Sequence, residues 1–125
     1  MYSEKLIDSF IQFKNAGDLK FASITTNNKN EQGQVIKLSL KINPDSGVIE
    51  QAKYKYFGSV AISVCVSILC DLILNKTLSE AQSLTEEDIL DYCYLPNEKK
   101  YTAKFAIDTL RDCIKRYYKK TEEKK

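Results

Sequence analysis

Residues 36 to 42 read Ile-Lys-Leu-Ser-Leu-Lys-Ile (IKLSLKI), and this stretch decides the fold. Apolar residues alternate strictly with lysine or serine, which is the period-2 pattern of a β-strand with one buried and one solvated face. The segment 43–47 (NPDSG) that follows is typical of a turn. Residues 48–57 then alternate again. We therefore predict that the two strands form an antiparallel hairpin.

The residues on either side of this hairpin predict one further strand and several helices. A short β-prone run at 19–26 precedes a polar loop at 27–33, and residues 3–14 have the apolar spacing of an amphipathic helix. After Gly58, residues 60–74 are apolar around most of a helical circumference, which indicates a buried helix.

The second half of the chain is predicted to be helical. Thr77 and Thr85 can each begin a short helix, and residues 102–118 carry the three-and-four spacing of one buried helical face. The fold class predicted is α+β, a three-stranded antiparallel sheet packed against several helices.

Length and composition favour one soluble domain. The 125 residues are enough for a single core, which we place at 1–118, with a charged flexible tail at 119–125. A net charge of +2 argues against nucleic acid or a membrane as partner. The chain has no histidine, the commonest general base, and we expect no enzyme activity. The N-terminus lacks the pattern of a secretory signal, which predicts a cytoplasmic location.

The four cysteines lack the spacing of a zinc site or of a disulfide framework. Cys65 and Cys70 lie five residues apart on the predicted apolar helix, so they point in different directions. Together with Cys93 and Cys113 they are interpreted as reduced packing residues. Nothing in the neighbouring sequence predicts a lowered pKa for any of these thiols.

Several short strings, in order along nearly the whole chain, carry a resemblance to a known family. They are YSEKLID at 2–8, NAG at 15–17, VIKL at 35–38, GVIEQA at 47–52 and KTLSEAQ at 76–82. The chain resembles the iron–sulfur cluster assembly scaffolds of the IscU/NifU N-terminal type. The resemblance implies that family's fold and a place in cluster assembly.

The family holds a nascent cluster with three cysteines, an aspartate and a histidine on three converging loops. The resemblance places these ligands in the present chain at five positions, which are Gln32, Gln34, Ser59, Tyr101 and Thr102. All five differ from the family's residues. Because oxygen and amide groups replace the thiolates that iron–sulfur chemistry requires, we expect no metal site at these positions and no cofactor.

The resemblance also implies a surface that binds partners. Leu95, Pro96 and Lys99 match a loop that the family presents to a specialised Hsp70-type chaperone. Our favoured hypothesis is an assembly protein that acts by binding a cysteine desulfurase, a scaffold or such a chaperone. The alternative is weak iron binding, or acceptance of persulfide sulfur by a cysteine, with non-standard ligands. An ordinary connecting loop remains an equal interpretation of residues 95–99.

Overall fold

The computed structural model describes residues 15–123, and its three strands form one antiparallel sheet. The strands are β1 (Ile24–Lys29), β2 (Val35–Ile42) and β3 (Ile49–Phe57), in the order β1-β2-β3. The predicted hairpin is confirmed, with Leu38 paired to Tyr54 near its middle. The α+β fold class is confirmed as well.

Four α-helices follow the sheet. They are α1 (Val60–Ile73), α2 (Leu78–Gln82), α3 (Glu86–Leu90) and α4 (Tyr101–Glu123), and a 3₁₀ turn at Asn97–Lys99 precedes α4. Capping boxes begin the two short helices, at Thr77 with Glu80 and at Thr85 with Asp88. The buried helix predicted at 60–74 is confirmed as α1.

The hydrophobic core lies between one face of the sheet and the two long helices. The apolar set of β2 is at most 4% exposed and consists of Ile36, Leu38, Leu40 and Ile42. Helix α1 packs on β3, and α4 packs on β1 and β2. Most of α1 is buried because its residues from Val60 to Cys70 carry no charge. The opposite sheet face is polar, and there Asp18 bridges Lys37 and Lys55.

Strand β1 differs from its prediction. The expected strand at 19–26 instead runs from Ile24 to Lys29, so Asn27 and Asn28 belong to the strand and not to a loop. Pairing to β2 overrides their low β propensity, since Asn28 lies opposite Ile36 and its side-chain amide donates to Thr109 Oγ1 on α4 at 3.0 Å. The helix predicted at 3–14 lies outside the described residues.

Helix α4 is longer than predicted. It continues to Glu123, so the boundary of a flexible tail at residue 119 is too early. The Lys120 ammonium donates to the Ser23 carbonyl at 2.9 Å, which anchors this last part of the helix beside the start of β1. Over residues 15–123, none of the helices is both long and apolar enough to cross a membrane.

Candidate functional site

Three segments that connect the elements come together at one end of the sheet. Residues 30–34 lead into β2, Gly58 and Ser59 join β3 to α1, and residues 94–100 precede α4. Because Val35 at the start of β2 pairs with Phe57 at the end of β3, the first two segments must be neighbours. The convergence implied by the family resemblance is therefore present for these two segments.

Gln34 lies at the centre of this arrangement. Its side-chain oxygen accepts hydrogen bonds from the Tyr101 hydroxyl at 3.1 Å and from the Asn30 amide at 2.7 Å. The Asn30 side-chain oxygen in turn accepts from the backbone N–H groups of Gln32 and Gln34. The loop into β2 and the start of α4 are thus joined by side chains, and the acceptor of Gln34 is already in use.

Gly58 allows the second segment to approach this centre. Its φ is +144°, a backbone conformation that residues with a side chain rarely adopt. A Cβ atom at this position would lie 2.9 Å from Ile62 Cδ1 and 3.0 Å from Gln34 Cγ. Only glycine fits between the loop into β2 and helix α1 without displacement of either.

Ser59 follows directly and begins α1. Its backbone is extended, and its carbonyl accepts from the Ile62 N–H at 3.1 Å. Its hydroxyl oxygen is buried and has no hydrogen-bond partner among the described residues. A buried hydroxyl without a partner carries a desolvation cost, so Ser59 is a polar group at the site that does not contribute to stability there.

Tyr101 and Thr102 are the first residues of α4 and face different surroundings. Tyr101 reaches Gln34 and lines a surface groove of about 630 Å³ together with the exposed Gln32. Thr102 is fully buried, donates to the Lys99 carbonyl at 2.7 Å and lies 3.3 Å from the Cys65 sulfur. Gln34 and Ser59 thus lie on converging segments and Tyr101 and Thr102 directly follow the third one, whereas Gln32, on the first segment, faces solvent.

Three of the four cysteines are packing residues, as predicted. Cys65, Cys70 and Cys113 are at most 2% exposed. Burial raises the pKa of Cys113 to about 12 and also raises that of Cys70. A thiol with a raised pKa is almost entirely protonated at neutral pH and therefore unreactive.

Cys93 has a lowered pKa that nothing in the neighbouring sequence indicated. A hydrogen bond from the Cys65 side chain stabilises the Cys93 thiolate and lowers the pKa of Cys93, although partial burial acts in the opposite direction. The same hydrogen bond, followed by burial, raises the pKa of Cys65. Sequence reasoning missed this pair because α1 and the segment after α3 meet only through tertiary packing.

The predicted partner-binding residues need one correction. Leu95 is only 2% exposed, because it packs into the core, and cannot contact a partner in this structure. Pro96 and Lys99 are half-buried, and the neighbouring Tyr94 is 66% exposed. Two further exposed apolar side chains flank the glycine turn, Phe57 at 72% and Val60 at 39%. Single exposed apolar residues are common on protein surfaces. Tyr94, Phe57 and Val60, however, all lie at the end of the sheet where the three segments come together.

The donor atoms at the converging loops do not fit an iron–sulfur cluster. Within residues 15–123 there is no group of three or more histidine, cysteine, aspartate or glutamate side chains placed to hold a metal ion. The loops offer a carbonyl oxygen and a phenol that already bind each other, and a serine hydroxyl. Iron–sulfur clusters are held by thiolates, which are softer ligands.

These features define an α+β domain with three converging loops next to a glycine turn, the architecture of the scaffolds that assemble iron–sulfur clusters. The sequence model of the NifU-like N-terminal domain matches residues 1–124. The chain belongs to this family. It is 32% identical to the iron–sulfur cluster assembly scaffold protein IscU of Escherichia coli strain K12, and the match covers 98% of each chain.

Further relatives and solved structures agree with this assignment. Iron sulfur cluster assembly protein 2, mitochondrial, of Saccharomyces cerevisiae is 31% identical over 94% of this chain and 78% of its own. A structure described as a cluster assembly scaffold for the SUF system, from Fervidobacterium islandicum, has a TM-score of 0.71 at 19% identity and covers 90% of this chain and 95% of its own. The N-terminal part of a NifU-like protein from Brucella abortus gives 0.70 at 15%, covering 94% of both. At these identities the two structures show the fold alone.

The expectation that the protein has no cofactor is wrong. The family to which the chain belongs consists of iron–sulfur cluster assembly scaffolds by the names of its relatives, and the chain itself carries four cysteines. The family assignment therefore gives no support to that expectation. Scaffolds of this kind work with other assembly proteins, and the relatives come from bacteria and from mitochondria.

Proposed function

We propose that this protein serves iron–sulfur cluster assembly mainly by binding other assembly proteins, and that its converging loops do not hold a cluster in the three-cysteine manner of the family. It acts without enzymatic turnover, in a cytoplasmic compartment that keeps its four thiols reduced. The observation that carries this proposal is the hydrogen bond between Tyr101 and Gln34, which closes the loop end with oxygen atoms where thiolates would be needed.

The proposed partner surface consists of Phe57, Val60, Tyr94, Pro96 and Lys99. Its members lie on the segments that converge around Gly58 and combine exposed aromatic and aliphatic groups with a cation. Exposed aromatic residues are enriched among the residues that dominate binding energy at protein interfaces. The partners that we propose for this surface are a cysteine desulfurase, a cluster-carrying scaffold or an Hsp70-type chaperone.

Partner binding is tested with purified proteins and a pair of matched variants. Phe57→Ser removes an aromatic side chain of the partner surface. Phe21→Ser removes an even more exposed one, at 90%, beyond the Leu40 end of β2 and far from the loops. Titration calorimetry with a cysteine desulfurase should show affinity at least about 5-fold weaker for Phe57→Ser, since an interface hot spot contributes about 1 kcal/mol or more, and unchanged for Phe21→Ser. No binding of the unaltered chain to any of the three partners would refute the proposal.

The proposal that the converging loops do not hold a cluster in the three-cysteine manner has a separate test. The purified protein is incubated anaerobically with iron, cysteine and a desulfurase, then desalted, and iron and labile sulfide are counted. We expect the Ser59→Cys variant to retain more iron and sulfide than the unaltered chain, because it supplies one soft ligand at the turn. A stoichiometric cluster on the unaltered chain that survives substitution of Cys65 and Cys93 would show that the loops do hold it.

The lowered pKa of Cys93 favours a second candidate function, acceptance of persulfide sulfur. The Cys93 thiolate would attack the outer sulfur of a desulfurase persulfide, the donor's S–S bond would break, and the donor would leave as a thiolate. Intact-mass measurement after incubation with desulfurase and cysteine should show the addition of one sulfur atom, absent in Cys93→Ala. Addition of the same mass to that variant would exclude Cys93 as the acceptor.

A further inference from the structure

A surface groove lies between α2 and α4, away from the candidate site. It has a volume of about 790 Å³ and is lined by Gln82 of α2 and by five residues of α4, which are Arg111, Lys115, Tyr118, Lys119 and Glu122. Three of these side chains are cations and one is an anion. The groove is therefore positively charged, although the net charge of the whole chain is only +2.

The cations of this groove differ from the other basic residues of α4. Lys104 and Arg116 each form a salt bridge with an aspartate one turn away on the same helix. Lys120 donates to the Ser23 carbonyl. Among residues 15–122, by contrast, the three cations of the groove form no salt bridge with a carboxylate. Their charges are not neutralised by that part of the chain.

Arg111 is oriented by the fold. One of its terminal N–H groups donates to the carbonyl of Leu84, in the segment after α2, at 3.0 Å. A guanidinium has several N–H donors in a planar fork, so others remain for a second acceptor. Such a fork can bind a carboxylate through two parallel hydrogen bonds, which a lysine cannot do. Arg111 is thus held in place before any ligand binds.

The three cations lie on one face of α4 at regular intervals. Arg111, Lys115 and Lys119 follow one another at four-residue spacing, which places them about 6 Å apart along the helix axis with a rotation of about 40° at each step. Alternate residues of an extended chain lie about 6.6 Å apart and point in the same direction. An extended segment with a carboxylate at every second position therefore matches this row of charges.

The groove lies at the other end of α4 from the converging loops. Lys115 is about 21 Å along the helix axis from Tyr101, the first residue of α4. Tyr118 also lines a neighbouring groove together with Pro44, in the turn that joins β2 to β3 at the end of the hairpin opposite Gly58. The groove between α2 and α4 is therefore separate from the partner surface proposed above.

We propose that the groove between α2 and α4 binds an extended acidic segment of a partner protein. The carboxylates of that segment pair with Arg111, Lys115 and Lys119. The ring of Tyr118, 41% exposed, contacts the small residues between the carboxylates. Glu122, beyond the row of cations, opposes a longer polyanion such as a nucleic acid strand, whose phosphates follow one another without interruption. The charge pattern thus favours an acidic peptide.

The test measures binding of the full-length chain to a fluorescein-labelled peptide in which glutamate alternates with alanine. Fluorescence anisotropy at low ionic strength should show binding to this peptide, and none when glutamine replaces the glutamates. The double variant Lys115→Gln, Lys119→Gln should bind about 5-fold more weakly, because two ion pairs are lost. Arg111→Lys, which keeps the charge and removes the planar fork, should also weaken binding.

A second double variant is the matched control. Lys20→Gln, Lys41→Gln removes the same net charge from two exposed lysines that do not line the groove. Its affinity for the peptide should stay within about 2-fold of the unaltered chain, since distant exposed charges are largely screened. Circular dichroism checks that each variant is folded, which is expected because all the substituted side chains are exposed.

Three results would overturn the proposal. The first is no binding of the unaltered chain to the glutamate peptide. The second is an equal loss for the two double variants, which would show a general effect of net charge. The third is tighter binding to a single-stranded DNA oligonucleotide or to vesicles of anionic phospholipid than to the peptide. None of these results bears on the loop surface, which the Phe57→Ser variant tests separately.

Discussion

Gly58 is the residue that lets the turn between β3 and α1 approach the loop into β2. We expect Gly58→Ala to destabilise the protein by about 2–4 kcal/mol, because a Cβ would be strained at a φ of +144° and would contact Ile62 and Gln34 within about 3 Å. The free energy of unfolding in urea measures this loss.

Gly33→Ala is the matched control, since Gly33 also has a positive φ, +80°, but its Cβ would meet nothing within 4 Å. It should cost only the backbone strain, about 1–2 kcal/mol. Equal losses for the two variants would mean that the contacts of Gly58 are relieved without cost and that the turn does not position Gln34.

Cys93 should be the first thiol to react in the folded protein. Alkylation requires the thiolate, and the lowered pKa of Cys93 increases its thiolate fraction at every pH below the ordinary thiol pKa of about 8.5. With iodoacetamide at pH 7, we expect peptide mass spectrometry to find Cys93 labelled well before Cys65, Cys70 and Cys113. In urea the four rates should converge, whereas preferential labelling of Cys113 in the native state would contradict the assignment.

For single residues, the sequence predicts which segments form the candidate site better than it predicts which side chains touch each other. The family resemblance identifies the segments that converge: Gln34 and Ser59 lie on them, and Tyr101 and Thr102 directly follow the third one. The effect of Cys65 on the pKa of Cys93 and the burial of Leu95 depend on how α1, α3 and α4 pack. No local pattern in one sequence contains that information.

Two side-chain hydrogen bonds join strand β1 to helix α4. The donors are Thr26 and Asn28 of β1. Thr26, 1% exposed, donates to the Asp112 carboxylate at 2.7 Å. Thr26→Val keeps the shape and removes the hydroxyl, so we expect a loss of about 1 kcal/mol. Thr25→Val, on the exposed face of the same strand, removes a hydrogen bond within the sheet instead, to Ser39 Oγ at 3.1 Å, so its effect on the unfolding free energy should not depend on the ionisation of Asp112.

The loss caused by Thr26→Val should depend on pH in a defined direction. Burial of Asp112 is outweighed by hydrogen bonds from Thr26 and Arg116, which hold the pKa of Asp112 below its ordinary value of 3.8. A lowered carboxyl pKa stabilises the fold above the pKa of the unfolded chain, and this contribution disappears as pH falls through the folded value. The penalty should therefore be constant from neutral pH to about pH 4 and shrink below it. A penalty that grows in acid would rule out the carboxylate as acceptor.

A comparison of the predicted and observed helices and strands shows which sequence patterns are enough to predict an element. Strict alternation in β2 and the uncharged run of α1 predict those elements closely, because each pattern is decided by burial along its whole length. Strand β1 begins five residues later than predicted and includes two asparagines, because its partners on β2 and α4 stabilise it there. Helix α4 extends beyond its predicted end, and Lys120 there contacts Ser23. The lysine-rich composition of this segment does not indicate such a contact.

For the whole molecule, one buried cluster joins the sheet to α1, α3 and α4. Tyr54 of β3 is 1% exposed, and its hydroxyl lies 2.8 Å from Ser63 Oγ of α1. With a single shared core, sheet and helices have no separate apolar surface on which to remain folded after the other unfolds. The prediction of a single domain at 1–118 can therefore be tested as cooperativity.

We expect one cooperative urea transition of the reduced protein, with the same midpoint by far-ultraviolet circular dichroism and by near-ultraviolet tyrosine circular dichroism, since the chain has no tryptophan. Helix content reports on α1 and α4, while the tyrosine signal depends strongly on the buried Tyr54 between sheet and helix. Tyr54→Phe removes one buried hydroxyl contact and should lower both midpoints by the same amount, whereas Tyr118→Phe on an exposed helix surface should leave both unchanged. Separate midpoints for the two signals would mean that the helices and the sheet unfold independently, and the single-domain prediction would then be wrong.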